Sequence, residues 1–184
     1  MGSEGPSAVT IHVTGFKKFH GVSENPTETI VGNLEKYMKK KGLPKGLILG
    51  SCSILETAGE GALPSLHQIL KSAISGENSE SSNSRRTIWQ VPIIPEDGKV
   101  SHTRQTSLPV EDITKALANM GYEVMTSDDA GRFVCNYVYY HSLVFAEQNG
   151  TKSLFVHVPL FLTIDEETQM RFAAALLEVL ASLC

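Results

Sequence analysis

Cys135 stands in Asp128-Asp129-Ala130-Gly131-Arg132-Phe133-Val134-Cys135-Asn136, and His157 follows 22 residues later in Phe155-Val156-His157-Val158-Pro159. The first stretch reads as the start of a helix and the second as a strand. A cysteine acts as a nucleophile through its thiolate. Free N–H groups and the dipole at a helix N-terminus favour that form, and a nearby imidazole can take the proton. Taken by themselves, the same two residues also fit a buried apolar cysteine and a satisfied core histidine, because cysteine signatures do not transfer between families. His141 is a poor base for Cys135. It lies six residues further along the same helix, and at about 100° per residue the two side chains point about 120° apart.

Other chemistries find less support. His12, His20, His67 and His102 show no metal-ligand spacing, and neither CxxC nor HExxH occurs, so no metal and no cofactor are expected. Gly15 and Gly21 lack the spacing of a phosphate-binding loop. Ser127 and Ser153 sit in no G-x-S-x-G elbow.

The elements that must carry Cys135 and His157 alternate along the chain. Val9 to Val13 and Leu47 to Leu55 read as strands. Between them, Asn25-Pro26-Thr27-Glu28 opens a helix with a cap, an N1 proline and an acid at the reciprocal capping position. Ile30, Val31, Leu34, Tyr37 and Met38 recur at helical spacing, and Gly42 closes it. Leu66, Ile69, Leu70, Ala73 and Ile74 mark a second helix. Residues 76–86 form a polar loop. Thr87 to Ile94 is a third strand candidate, interrupted by Pro92. Val110, Ile113, Leu117 and Met120 mark a third helix, followed by a strand at Tyr122 to Thr126. A helix from Gly131 to about Gln148 leads to a strand at Leu154 to Val158. The last helix begins after Thr163, with Glu166 completing a capping box, and turns Met170, Ala173, Ala174, Leu177 and Leu180 inward. This alternation predicts a single-domain α/β/α sandwich over residues 1–184, built on a mostly parallel twisted sheet. Ligands in such a fold bind beyond the carboxyl ends of the strands. The loop after strand one, with Phe16 and Phe19, and the loop before Cys135 both belong there. Two loop aromatics beside a nucleophile suit an apolar pocket for a small flat ring, although packing alone would also explain them.

Composition sets outer limits. The chain has 184 residues, 41% hydrophobic and 20% charged, with a net charge of −4. Lys39-Lys40-Lys41, the compact basic run, falls in the last turn of a predicted helix, where cations suit the dipole, so nucleic acid is not an expected partner. No apolar stretch approaches the ~20 residues that span a bilayer. Three cysteines and an N-terminus without an apolar signal core make a reducing, cytoplasmic setting the expectation.

Three segments together resemble the pyroglutamyl peptidase I family of cysteine peptidases. Val13-Thr14-Gly15-Phe16-Lys17-Lys18-Phe19-His20-Gly21, with Asn25-Pro26 after it, is similar to the family's opening TGF-x-x-F-x-G…NP signature. Asp129 to Tyr137, with Tyr139-Tyr140, is similar to its nucleophile segment, and Phe155 to Pro159 to its histidine segment. The resemblance implies removal of an N-terminal 5-oxoproline from peptides by a Cys-His-Glu triad on one α/β/α domain. Cys135 and His157 would be catalytic, and Phe16, Phe19, Phe133 and Val134 would line the ring-binding pocket. Pyroglutamyl peptides are the implied partners, and a homo-oligomer stays open. One departure is large. The family's Glu-x-x-Ala-x-Asn strand, which carries the third catalytic residue, occurs nowhere in this chain. Thr87-Ile88-Trp89 begins like the third strand and runs straight into Gln90-Val91-Pro92-Ile93-Ile94-Pro95. Both flanks keep the family pattern, which favours an internal deletion of roughly thirty or more residues joined near 89–91, as an alternatively spliced isoform would give. A diverged subfamily with another orienting acid is the alternative. Glu96 and Asp97, the next acids downstream, should lie in a surface loop. The expected fold is therefore short of a strand.

Overall fold

The computed structural model describes residues 8–19, 24–57, 59–75, 93–99 and 101–183. The polar loop at 76–86, the join at 89–91, His20 and Cys184 lie outside them. The fold is α/β, with five α-helices and a parallel sheet among the described residues. Among the described residues the elements are β1 (Val9–Phe16), α1 (Pro26–Lys41), β2 (Leu47–Leu55), α2 (Gly59–Ser75), a 3-10 turn (Pro95–Asp97), α3 (Val110–Asn119), α4 (Val134–Asn149) and α5 (Glu166–Leu183). They fall into two compact units. One holds residues 1–54, 109–126 and 158–184, and the other holds 55–108 and 127–157.

In the first unit β1 pairs with β2. Alternation along a strand puts Ile11 and Val13 on one face and Leu47 and Leu49 on one face. These side chains meet Ile30, Leu34 and Met38 of α1 and Met170, Ala174 and Leu177 of α5 in a single apolar cluster. Leu34 and Met38 are fully buried, each a gain of about 1.5–3 kcal/mol in transfer terms. The helical spacing of these residues places them on one side of α1, while Glu35 and Lys39 pair on the exposed side. Helix α3 packs on α5, where the Tyr122 and Phe172 rings meet edge-on at 5.5 Å.

The end of β1 is fastened to the start of α1. Asn25 caps α1 by accepting from the Thr27 N–H (3.1 Å), and its amide donates to the Lys17 carbonyl (3.0 Å). The Thr27 hydroxyl receives the Phe16 N–H at 2.9 Å. Glu28 does not reach back to Asn25 as a capping box would; its carboxylate accepts the Lys18 N–H instead (3.0 Å). The loop after β1 thus supplies the N–H that this carboxylate accepts. Gly15 makes this approach possible. A Cβ there would stand 2.4 Å from the Thr27 carbonyl oxygen, so backbone would have to move. Gly15→Ala should lower stability by about 1–3 kcal/mol, read as a shift of the denaturant midpoint at unchanged slope.

Several sequence expectations are corrected. Tyr122 to Thr126 and Leu154 to Val158 belong to no ladder among the described residues. Apolar content predicts an extended backbone, whereas a strand exists only where a neighbour offers complementary N–H and C=O groups. Ile93 and Ile94, the described part of the third strand candidate, form a bend. Helix α4 starts at Val134 and not at Gly131. Asp129 accepts the Gly131 N–H (2.7 Å) and Gly131 takes φ 85°, so the chain turns before it coils. Helix α5 is capped by Asp165, which accepts from the Thr168 N–H (2.9 Å) and hydroxyl (2.8 Å), not by a Thr163–Glu166 box. A carboxylate is the stronger acceptor for these free N–H groups at a helix start.

Candidate active site

Cys135 is the second residue of α4, after Val134, with Phe133 as the capping residue. The late start therefore puts the thiol within the first turn, where N–H groups lack intrahelical acceptors. Cys135 is half-buried, and burial pushes its pKa up; its own N–H draws it part of the way back. The helix start alone does not make a thiolate here, so a proton acceptor is required. Val134 is buried, whereas Phe133 is 85% exposed. In the other unit, Phe16 is buried at 7% exposure and Phe19 is half-buried on the loop fastened to α1.

His157 is exposed, on the irregular segment after α4. Three contacts set the course of that segment. The Ser142 and Ser153 hydroxyls meet at 2.8 Å. The Tyr139 and Phe155 rings lie 5.5 Å apart. The Phe155 and His157 rings meet edge to face, 4.7 Å apart at 84°. Going backward along α4 from Ser142 to Tyr139 thus matches going forward from Ser153 to Phe155. Cys135 is one helical turn before Tyr139, and residues four apart share a helix face. His157 is two residues after Phe155, and residues two apart share a side of an extended chain. The two contacts to α4 thus run in opposite directions along the two segments, back from Ser142 to Tyr139 and on from Ser153 to Phe155. No hydrogen bond joins the thiol and the imidazole among the described residues, and no carboxylate is bonded to His157 there.

Asp97 is not the surface acid the sequence suggested. Its side chain is 12% exposed and bound on both oxygens: Oδ1 accepts from Arg104 Nη2 at 2.6 Å and Oδ2 from the Tyr140 hydroxyl. These bonds, that from Tyr140 foremost, hold its carboxyl below the ordinary range. Arg104 also pairs with Glu147 and lies over the Tyr140 ring, 5.4 Å from its centre. Tyr140 is five residues after Cys135, so at about 100° per residue the two point about 140° apart on α4. Asp97 is committed elsewhere and does not orient His157.

The sequence reading missed Thr106, Tyr139, Ser142, Ser153 and Phe155 as the frame of this site. The Thr106 hydroxyl donates to the Ser153 carbonyl at 2.5 Å and receives the Leu108 N–H at 3.1 Å. The i,i+4 spacing of Cys135 and Tyr139 and the i,i+2 spacing of Phe155 and His157 were the available signals.

His141, which the sequence sets aside as a base, has ring neighbours of its own. His141 packs against Tyr137 (4.7 Å) and against His67 of α2 (5.9 Å). Burial depresses both histidine pKa values, with a further push on His141 from His67 and on His67 from Lys71. A depressed folded pKa means stability fully present above the unfolded value of about 6.5 and lost as pH falls through the folded one. Melting temperature should therefore drop as pH is lowered below about 6.5, and His141→Gln should flatten that part of the profile.

Residues 80–175 match the family described as pyroglutamyl peptidase. Over 169 residues the chain is 30% identical to the pyrrolidone-carboxylate peptidase of Pyrococcus furiosus, a match covering 80% of this chain and 79% of that one. The chain belongs to the pyroglutamyl peptidase family. The pyrrolidone-carboxylate peptidase of Thermococcus litoralis is 27% identical over 172 residues, covering 80% of this chain and 74% of the relative. The fold is similar to that of a mutant pyrrolidone carboxyl peptidase from P. furiosus, with a TM-score of 0.72 at 21% identity, over 96% of this chain and all of the other. No helix among the described residues is long and apolar enough to cross a membrane.

Proposed function

We propose that this chain is a cysteine hydrolase that removes N-terminal 5-oxoproline from peptides, working slowly because its triad lacks the acid. The observation that supports this reading is the pair of contacts from α4 to the segment before His157, Ser142 to Ser153 and Tyr139 to Phe155, whose order fits a return of that segment toward the Cys135 end. His157 takes the Cys135 proton, and the thiolate attacks the pyroglutamyl carbonyl. Free N–H groups in the first turn of α4 stabilise the oxyanion. His157 then protonates the leaving amine, and water hydrolyses the thioester. A 5-oxoproline ring carries no ammonium group, so its recognition needs flat apolar walls and a few polar contacts. By their places in the family's motifs, Phe16, Phe19, Phe133 and Val134 take that role. No metal or cofactor enters the reaction. The missing glutamate reflects a deletion joined near 89–91 within a single domain of residues 1–184, and the chain works in the cytoplasm.

A second reading is favoured by one observation. Asp97, one of the two acids next after the join, is bound by Arg104 and Tyr140 and so gives His157 no carboxylate. On that reading the chain binds pyroglutamyl peptides, or a partner, without turning them over. A third reading, a truncated product with no settled fold, predicts no cooperative unfolding transition. A fluorogenic pyroglutamyl substrate and a thermal melt with a pyroglutamyl peptide separate them. Turnover supports the first reading, and a raised melting temperature without turnover supports the second.

A further inference from the structure

We propose that Phe155, braced by Tyr139, is the positioning residue for His157, and that this aromatic contact does the orienting usually left to a carboxylate. It rests on the reading of His157 as the base. An imidazole that must accept a proton from one direction needs its ring plane held. Here the Phe155 ring meets the His157 ring edge to face at 4.7 Å and 84°, a geometry that the ring quadrupoles favour and that restricts rotation about the terminal side-chain bond.

Phe155 is itself restrained. Tyr139 lies against it at 5.5 Å, tilted by 36°. Tyr139 is in the second turn of α4. Its hydroxyl is half-buried near the Thr106 side chain and the Phe155 backbone, both of which draw its pKa down against the rise from burial. Thr106 binds the Ser153 carbonyl, and Ser153 meets Ser142. The line from α4 through Tyr139 and Phe155 to His157 thus has a fixed end in the helix that bears the nucleophile. The arrangement sets the ring plane of the imidazole but gives no charge to stabilise the imidazolium. It can serve geometry without replacing the acid's electrostatic part.

The test compares Phe155→Leu with Phe155→Tyr in the full chain, each checked for cooperative unfolding. Two measurements do not depend on peptidase turnover. The first is the NMR position of the His157 ring protons, which a neighbouring ring displaces. The second is the alkylation rate of Cys135 by iodoacetamide near neutral pH. Phe155→Leu should abolish the ring-current displacement and slow alkylation, and Phe155→Tyr should restore both. Where the parent chain turns over a pyroglutamyl substrate, Phe155→Leu should lower kcat by about tenfold or more with KM little changed, since small misplacements of a reacting group are costly. Unchanged imidazole resonances in Phe155→Leu overturn the contact. Changed resonances with unchanged alkylation overturn its positioning role. A parent chain that lacks turnover but shows both effects retains the positioning and refutes only the peptidase reading.

Discussion

Turnover of a pyroglutamyl substrate by this chain should be at least a hundredfold slower than by a relative that keeps the Glu-x-x-Ala-x-Asn strand. In a nucleophile–histidine–acid triad the acid fixes the imidazole tautomer and stabilises the imidazolium, and losing that role costs on the order of thousands-fold in rate. Asp97 is no substitute, because both of its oxygens are taken by Arg104 and Tyr140. An aromatic contact holds the ring of His157 but does not balance its charge. Stability should suffer with rate. A lost core strand removes several apolar side chains at roughly 1.5–3 kcal/mol each and leaves strand edges unpaired, against a total margin of only about 5–15 kcal/mol. Side-by-side kcat/KM values and thermal melts of the two proteins check both statements. A soluble preparation that unfolds cooperatively and matches the intact relative in turnover would refute them.

Cys135→Ala should remove whatever hydrolysis the chain has, a fall of at least about a hundredfold to the buffer rate, while leaving the melting temperature near that of the parent. The thiol is half-buried at the start of α4, so an alanine fits without strain. Labelling should agree. Cys135 and Cys52 are both half-buried, and burial raises the pKa of each, that of Cys52 further through Glu35. Cys52 packs against the apolar cluster of the first unit, with no imidazole assigned to it. Cys135 should therefore react with a thiol reagent faster than Cys52 in the folded chain. The sign of the pH dependence follows from the raised pKa: thiolate forms only above the ordinary thiol range, so the Cys135 rate should keep climbing as pH rises into the alkaline range. A rate already flat from pH 6 upward would mean a stable thiolate–imidazolium pair, which a triad without its acid should not hold. Equal labelling of Cys135 and Cys52 would overturn the assignment of the nucleophile.

What the amino-acid sequence determined by itself is what short-range forces decide. Helix α1 was legible down to its Asn25 cap and N1 proline, because capping and apolar spacing act within a few residues. The apolar sides of α1 and α5 followed from the same periodicity, whereas the start of α4 at Val134, three residues later than the sequence suggested, did not. The motifs around Gly15, Cys135 and His157 carried the family. Tertiary structure decided whatever needed a distant partner. Glu28 turned to Lys18 because the loop after β1 reaches the start of α1. Asp97 left the surface because Arg104 and Tyr140, 7 and 43 residues away in sequence, close around it. Tyr122 to Thr126 and Leu154 to Val158 stayed outside any described ladder because a strand is a property of a pair. The line from Tyr139 through Phe155 to His157 exists only once the segment after α4 folds back along it. Local free energies are written into neighbouring residues, whereas a contact between remote segments depends on every element that brings them together.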